Sequence, residues 1–170
     1  ALVLSDGTRL EGRSFGADVP MAGEVVFTTG MVSYPETLTD PSYQGQILVL
    51  TYPLIGNYGV PDRNIVDELG LPAFFESNKI HVSGLVVQEY SGDYAHWNAD
   101  SSLSAWLKEQ GIPAITGVDT RALTKHIRDQ GVMLGRIEVN GEGSELELAD
   151  PNLRNLAAEV CVPEPVIYGE

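Results

Sequence analysis

The chain has 170 residues, 43% of them hydrophobic and 20% charged, with 24 acidic side chains against 10 lysines and arginines and a net charge of −14. A single cysteine excludes an internal disulfide framework, and no apolar run approaches the ~18–20 residues of a membrane span. The acid excess, with lysines and arginines that form no basic stripe along the sequence, argues against nucleic acid and against an anionic membrane surface as partners.

The first half reads as β-rich. Asp6-Gly7, between Leu2–Leu4 and Thr8–Phe15, predicts a hairpin on a type I′ turn. Val25, Val26 and Phe27 in the segment 24–29 suit a packed strand. Ser33-Tyr34-Pro35-Glu36 matches a capping box opening a short helix, which Asp40-Pro41 must end because proline disfavours the helical region for the residue before it. Residues 46–52 follow as a buried strand, then Pro53, Gly56 and Gly59 make an irregular turn. The stretch 61–79 reads as loop plus a short helix, and 80–90 as one long strand with His81 on its polar face.

Two clear helices come next. Asp100-Ser101-Ser102 supplies a cap for the stripe Leu103, Trp106 and Leu107, closed by Gly111 and Pro113. Asp119 caps the second helix, with Val118 and Leu123 as a hydrophobic staple, running to Gly131. Ala114–Ile115 and the segment 132–139 are strands. Residues 1–140 therefore read as one domain. From Asn140-Gly141 onward glycine, proline and acid content rise, and 141–170 reads as an acidic tail or linker. With no initiator methionine and no basic-then-apolar leader, the chain reads as a trimmed piece of an intracellular protein.

Local motifs assemble no catalytic site. Gly12-Arg13-Ser14-Phe15-Gly16 fits the G-x-S-x-G pattern of serine hydrolases, whose nucleophile needs a strand–turn–helix context. Here Ala17-Asp18-Val19-Pro20 follows, with a proline where that helix should be, so the glycines mark a strand bend instead. His81, His96 and His126 show no metal-ligand spacing, and Cys161 has no neighbouring base to make it nucleophilic. His126 falls in the last turns of a helix, where its cation suits the dipole. There is no P-loop.

Several blocks together carry a family likeness: Leu4-Ser5-Asp6-Gly7-Thr8, Gly23-Glu24-Val25-Val26-Phe27-Thr28-Thr29-Gly30-Met31, Leu38-Thr39-Asp40-Pro41-Ser42-Tyr43, Thr51-Tyr52-Pro53-Leu54-Ile55-Gly56-Asn57-Tyr58-Gly59 and Gly117-Val118-Asp119-Thr120-Arg121. In order and spacing they closely resemble the N-terminal domain of the small, glutamine-hydrolysing chain of carbamoyl-phosphate synthetase. Tyr52-Pro53-Leu54-Ile55 and Tyr58-Gly59 look most like the fused multidomain eukaryotic form of pyrimidine synthesis.

The resemblance implies an α/β fold, a three-layer β/β/α swivelling domain with mixed strands and two clear helices. It also implies partners, namely an amidotransferase domain beyond residues 141–170 and a large synthetase subunit or domain. That synthetase portion would use ATP and Mg to make carbamoyl phosphate from bicarbonate and glutamine-derived or free ammonia. No catalytic residue, cofactor or metal is expected in this domain. Its one substrate residue by the resemblance is Ser42, which corresponds to a serine of the family's glutamine site. On turn chemistry alone, a serine after Asp-Pro merely satisfies a turn. The alternative is a scaffold that touches no substrate. The expected compartment is the cytoplasm, with the mitochondrial matrix as the alternative.

Overall fold

A computed structural model describes residues 1–148 and 150–167. Among the described residues, the strands and α-helices in chain order are β1 (Leu2–Leu4), β2 (Arg9–Leu10), β3 (Arg13–Ser14), β4 (Met21–Thr28), α1 (Tyr34–Thr39), β5 (Gln46–Leu50), β6 (Leu54–Ile55), β7 (Val60–Pro61), β8 (Gly84–Val86), β9 (Glu89–Tyr90), β10 (Ala99–Ser101), α2 (Leu103–Glu109), β11 (Ala114–Thr116), α3 (Thr120–Gln130), β12 (Met133–Ile137) and α4 (Leu156–Val160). Eight strands form one mixed sheet in the order β2-β1-β12-β4-β5-β8-β11-β3. The central four, β4, β5, β8 and β11, run parallel, and antiparallel strands flank them on both sides.

The parallel strands are buried on both faces, which is why 47–50 reads as an unbroken apolar run and not as an alternation. Leu48, Leu50 and Leu85 point to one face, under Leu38 of α1 and Leu103, Trp106 and Leu107 of α2. Ile47, Val49, Val86 and Ile115 point to the other, where Leu123 and Ile127 of α3 meet Leu2, Leu4 and Ile137 from the antiparallel side of the sheet. The sheet curls enough to bring β12 over β8, with β4 and β5 between them in the strand order. A Cβ built on Gly84 would lie 2.6 Å from Ile137 Cδ1, so the curl requires a residue without a side chain there. The result is a mixed α/β domain with a curled mixed sheet and two substantial helices, in keeping with the three-layer β/β/α swivelling fold.

Both expected helix caps form. Ser102 Oγ accepts from the Ala105 N–H at 3.1 Å and Asp119 Oδ1 from the Ala122 N–H at 2.8 Å, while the staple residues Val118 and Leu123 are buried in one cluster. Elsewhere local expectation yields to tertiary structure. The Asp6-Gly7 hairpin forms, but only Gly7 (φ 87°) is left-handed, so the turn is not type I′. Ser33 is itself left-handed (φ 66°) and makes no capping bond; Tyr58 Oη accepts from the Tyr34 N–H at 3.1 Å in its place. No helix forms in 61–79, where the Asp67 carboxylate instead collects the Leu69 and Leu71 N–H groups at 2.8 and 2.9 Å. The long strand expected over 80–90 is two short ones: β8 stays in the main sheet, and β9 leaves it to pair with β6.

Candidate functional site

Ser42 sits in a 3₁₀ turn, Pro41–Tyr43, between α1 and β5. Proline at the first position presets the turn's φ, and Asp40 closes it by accepting the Ser42 backbone N–H at 2.8 Å. The Ser42 side chain is exposed, and its hydroxyl makes no hydrogen bond among the described residues. The carboxylate thus holds the backbone while leaving the hydroxyl, which can both donate and accept, available to an outside group.

The turn is anchored from behind. Gly45 is left-handed (φ 81°), and a Cβ there would lie 2.9 Å from Pro151 Cβ and 3.1 Å from an Arg154 guanidinium nitrogen. A Cβ on Gly23 of β4 would run into the Gly45 carbonyl oxygen, so position 23 has no room for a side chain there. Gln46 Nε2 donates to Glu24 Oε2 at 2.6 Å across the β4–β5 pair, and Asn152 Nδ2 approaches Glu24 Oε1 at 3.4 Å. Residues 150–154 repeat the Ser42 turn's own chemistry: Asp150 accepts from the Asn152 N–H at 2.8 Å and Pro151 opens a second 3₁₀ turn.

Gln44 extends the anchor in two directions. Its Nε2 donates to Glu159 of α4 at 3.2 Å, which turns Oε1 toward His81 Nδ1 at 2.9 Å. His81 therefore lies buried between Gln44 and Ser77, whose hydroxyl is 3.1 Å from Nε2, and is not on a polar strand face. Burial pushes the His81 pKa down, and Lys79 adds to that, against an opposing pull from Asp40. The segment read as an acidic tail or linker carries α4, whose Glu159 holds Gln44 beside this turn.

The remaining candidates do not converge on Ser42. Ser14 lies exposed in β3, paired opposite Ile115, with no helix after it. His126 Nε2 meets Asp6 Oδ2 at 2.6 Å, which pins α3 to the first hairpin. Cys161 is exposed. Among the described residues no group of three or more His, Cys, Asp or Glu is placed to hold a metal ion.

Residues 2–137 match the family described as carbamoyl-phosphate synthase small chain, CPSase domain. The multifunctional protein URA2 of Saccharomyces cerevisiae is 54% identical over 184 residues, which cover 98% of this chain and 8% of that protein. The human mitochondrial carbamoyl-phosphate synthase [ammonia] is 55% identical over 169 residues, 99% of this chain and 11% of the human one. The arginine-specific carbamoyl phosphate synthase small chain of Eremothecium gossypii is 50% identical over 162 residues, 95% of this chain and 41% of its own length. The chain thus spans about a tenth of the length of the two larger relatives. Among solved structures, an aminopeptidase from Aneurinibacillus sp. strain AM-1 overlaps 82% of this chain and 30% of its own at 13% identity with a TM-score of 0.41, too weak a likeness to bear on the fold or the function.

Proposed function

The chain belongs to the carbamoyl-phosphate synthase small-chain family, and from that premise we propose that it is the N-terminal domain of the glutamine-using part of a carbamoyl-phosphate synthetase. In this reading the complete enzyme makes carbamoyl phosphate from glutamine or ammonia, bicarbonate and ATP with Mg. This domain holds an amidotransferase domain and a synthetase portion in register and lends Ser42 to the glutamine site. The domain alone is inactive.

The observation that carries the reading is the match over residues 2–137, joined to 50–55% identity along nearly the whole chain with proteins named as carbamoyl-phosphate synthases. The Ser42 turn supports the finer part. Its hydroxyl is exposed while its backbone is fixed by Asp40, the arrangement a binding group needs if it is to reach a ligand held by another domain. A free amino acid offers an ammonium for such a hydroxyl to accept from and a carboxylate for it to donate to.

A second reading, a scaffold without substrate contact, draws support from mammalian relatives named for ammonia. These relatives are also named mitochondrial, which gives the matrix as the alternative to a cytoplasmic location. Ser42→Ala in the complete enzyme separates the two readings. Glutamine-dependent synthesis should fall while ammonia-dependent synthesis is kept; an equal effect on both rates, or none on either, would leave only the scaffold.

A further inference from the structure

The carboxyl ends of β4, β5 and β8 open into a cleft of about 410 Å³ that the family assignment leaves without a role. Thr29 follows β4, Thr51 follows β5 and Gln88 lies just past β8, and all three line it. Its other wall is α3, which packs over β4 and β5 and contributes Arg121, Lys125 and Arg128. At 100° per residue these three cations fall within about 60° of one another, on the helix side away from the buried Leu123 and Ile127.

That gathering is unusual for a chain with a net charge of −14. Arg9, Arg63, Arg136 and Arg154 each hold a carboxylate at 2.7 to 3.1 Å. Arg121 and Lys125 hold none among the described residues, and Arg128 has only Asp129 at 3.9 Å with both side chains about 70% exposed. No acidic residue lines the cleft. The Gln88 amide and the Thr29 and Thr51 hydroxyls also make no side-chain hydrogen bond among the described residues, because the bonds at Gln88 and Thr51 run through their backbones. In α/β sheets the crevice outside the carboxyl ends of parallel strands is where ligands bind.

We propose that this cleft binds a phosphate-bearing small molecule. Two guanidinium forks and an ammonium match the charge and the several oxygens of a phosphate group, and the amide and hydroxyls supply neutral bonds beside them. The site is separate from Ser42, which precedes β5 while Thr51 follows it; the five residues of β5 span about 16 Å at ~3.3 Å each. The proposal does not rest on glutamine binding.

The test is calorimetric titration of the full chain with pyrophosphate, inorganic phosphate and malonate at matched ionic strength, with backbone amide shifts followed by NMR. Saturable binding of one pyrophosphate is expected, tighter than malonate, with shifts at Thr29, Thr51 and Gln88. Loss of one charged hydrogen bond in Arg121→Gln or Lys125→Gln should weaken it about tenfold. Lys108→Gln, a basic residue on α2 and remote from the cleft, should leave it unchanged. Circular dichroism of each variant checks that the fold is kept. Absence of saturable binding, equal affinity for malonate, or equal weakening in Lys108→Gln would overturn the proposal.

Discussion

Ile137 on β12 packs its Cδ1 over Gly84 on β8, three strands distant in the sheet, at the place a side chain on residue 84 would occupy. Ile137 is fully buried and has no outward space into which to swing. Gly84→Ala should therefore cost about 1–2 kcal/mol by overpacking. Ile137→Val, which removes Cδ1, should cost about 1 kcal/mol alone. The double variant should cost less than the sum of the two, because the second change clears the atom the first one meets. Urea denaturation of the four proteins measures this coupling.

Helix α1 depends on Tyr58, not on the serine that precedes it. Tyr58→Phe keeps the ring stack on Tyr34 (centroids 4.2 Å apart) but leaves the Tyr34 N–H unpaired, so it should cost about 1 kcal/mol. Ser33→Gly should cost nothing, since glycine tolerates the φ of 66° and no capping bond is lost. Thermal denaturation of the two variants would reverse this order if the capping box were the device that holds the helix.

His81 makes stability depend on pH in a window of its own. Its pKa in the fold is held below the ordinary 6.5, so the unfolded chain takes up this proton first as the pH drops. The His81 contribution is level well above 6.5 and declines as pH falls from there toward the folded value. Asp6 and Glu138, whose pKa values are lowered from 3.8 and 4.5 by hydrogen bonds and neighbouring cations, lose their contributions only at lower pH. The urea midpoint should accordingly fall between pH 7 and 5.5, and His81→Gln should flatten that slope while leaving the acid limb below pH 4.5 in place.

The backbone of Ser42 is held by one carboxylate. Asp40→Ala removes the 2.8 Å bond and should cost about 1 kcal/mol of stability, within the range of a lost cap. In the complete enzyme it should raise the KM for glutamine by loosening the turn, without changing the ammonia-dependent rate. Asp40→Asn, which keeps an acceptor oxygen, should restore most of both losses.

What the sequence made legible was whatever depends on neighbours along the chain. The caps at Ser102 and Asp119, the staple of Val118 and Leu123 and the buried run at 47–50 are all local, and all form. What it hid depends on residues brought together by the sheet. His81 reads as a polar strand-face residue because its burial and its bond to Gln44, 37 residues away, exist only in the fold. The spacing of 121, 125 and 128 is legible as one helix face. That this face closes a cleft with Thr29, Thr51 and Gln88 follows only from the strand order. Ser42 is singled out through its family blocks alone, since an Asp-Pro-Ser turn by itself carries no sign of a ligand.

The proposed contact between Ser42 and glutamine is tested most directly by the hydrolytic half-reaction. In the complete enzyme without ATP, the KM for glutamine should rise about tenfold in Ser42→Ala, the loss of one hydrogen bond to a charged group, and recover in Ser42→Thr. An unchanged KM in Ser42→Ala would contradict the account and leave the domain as a scaffold.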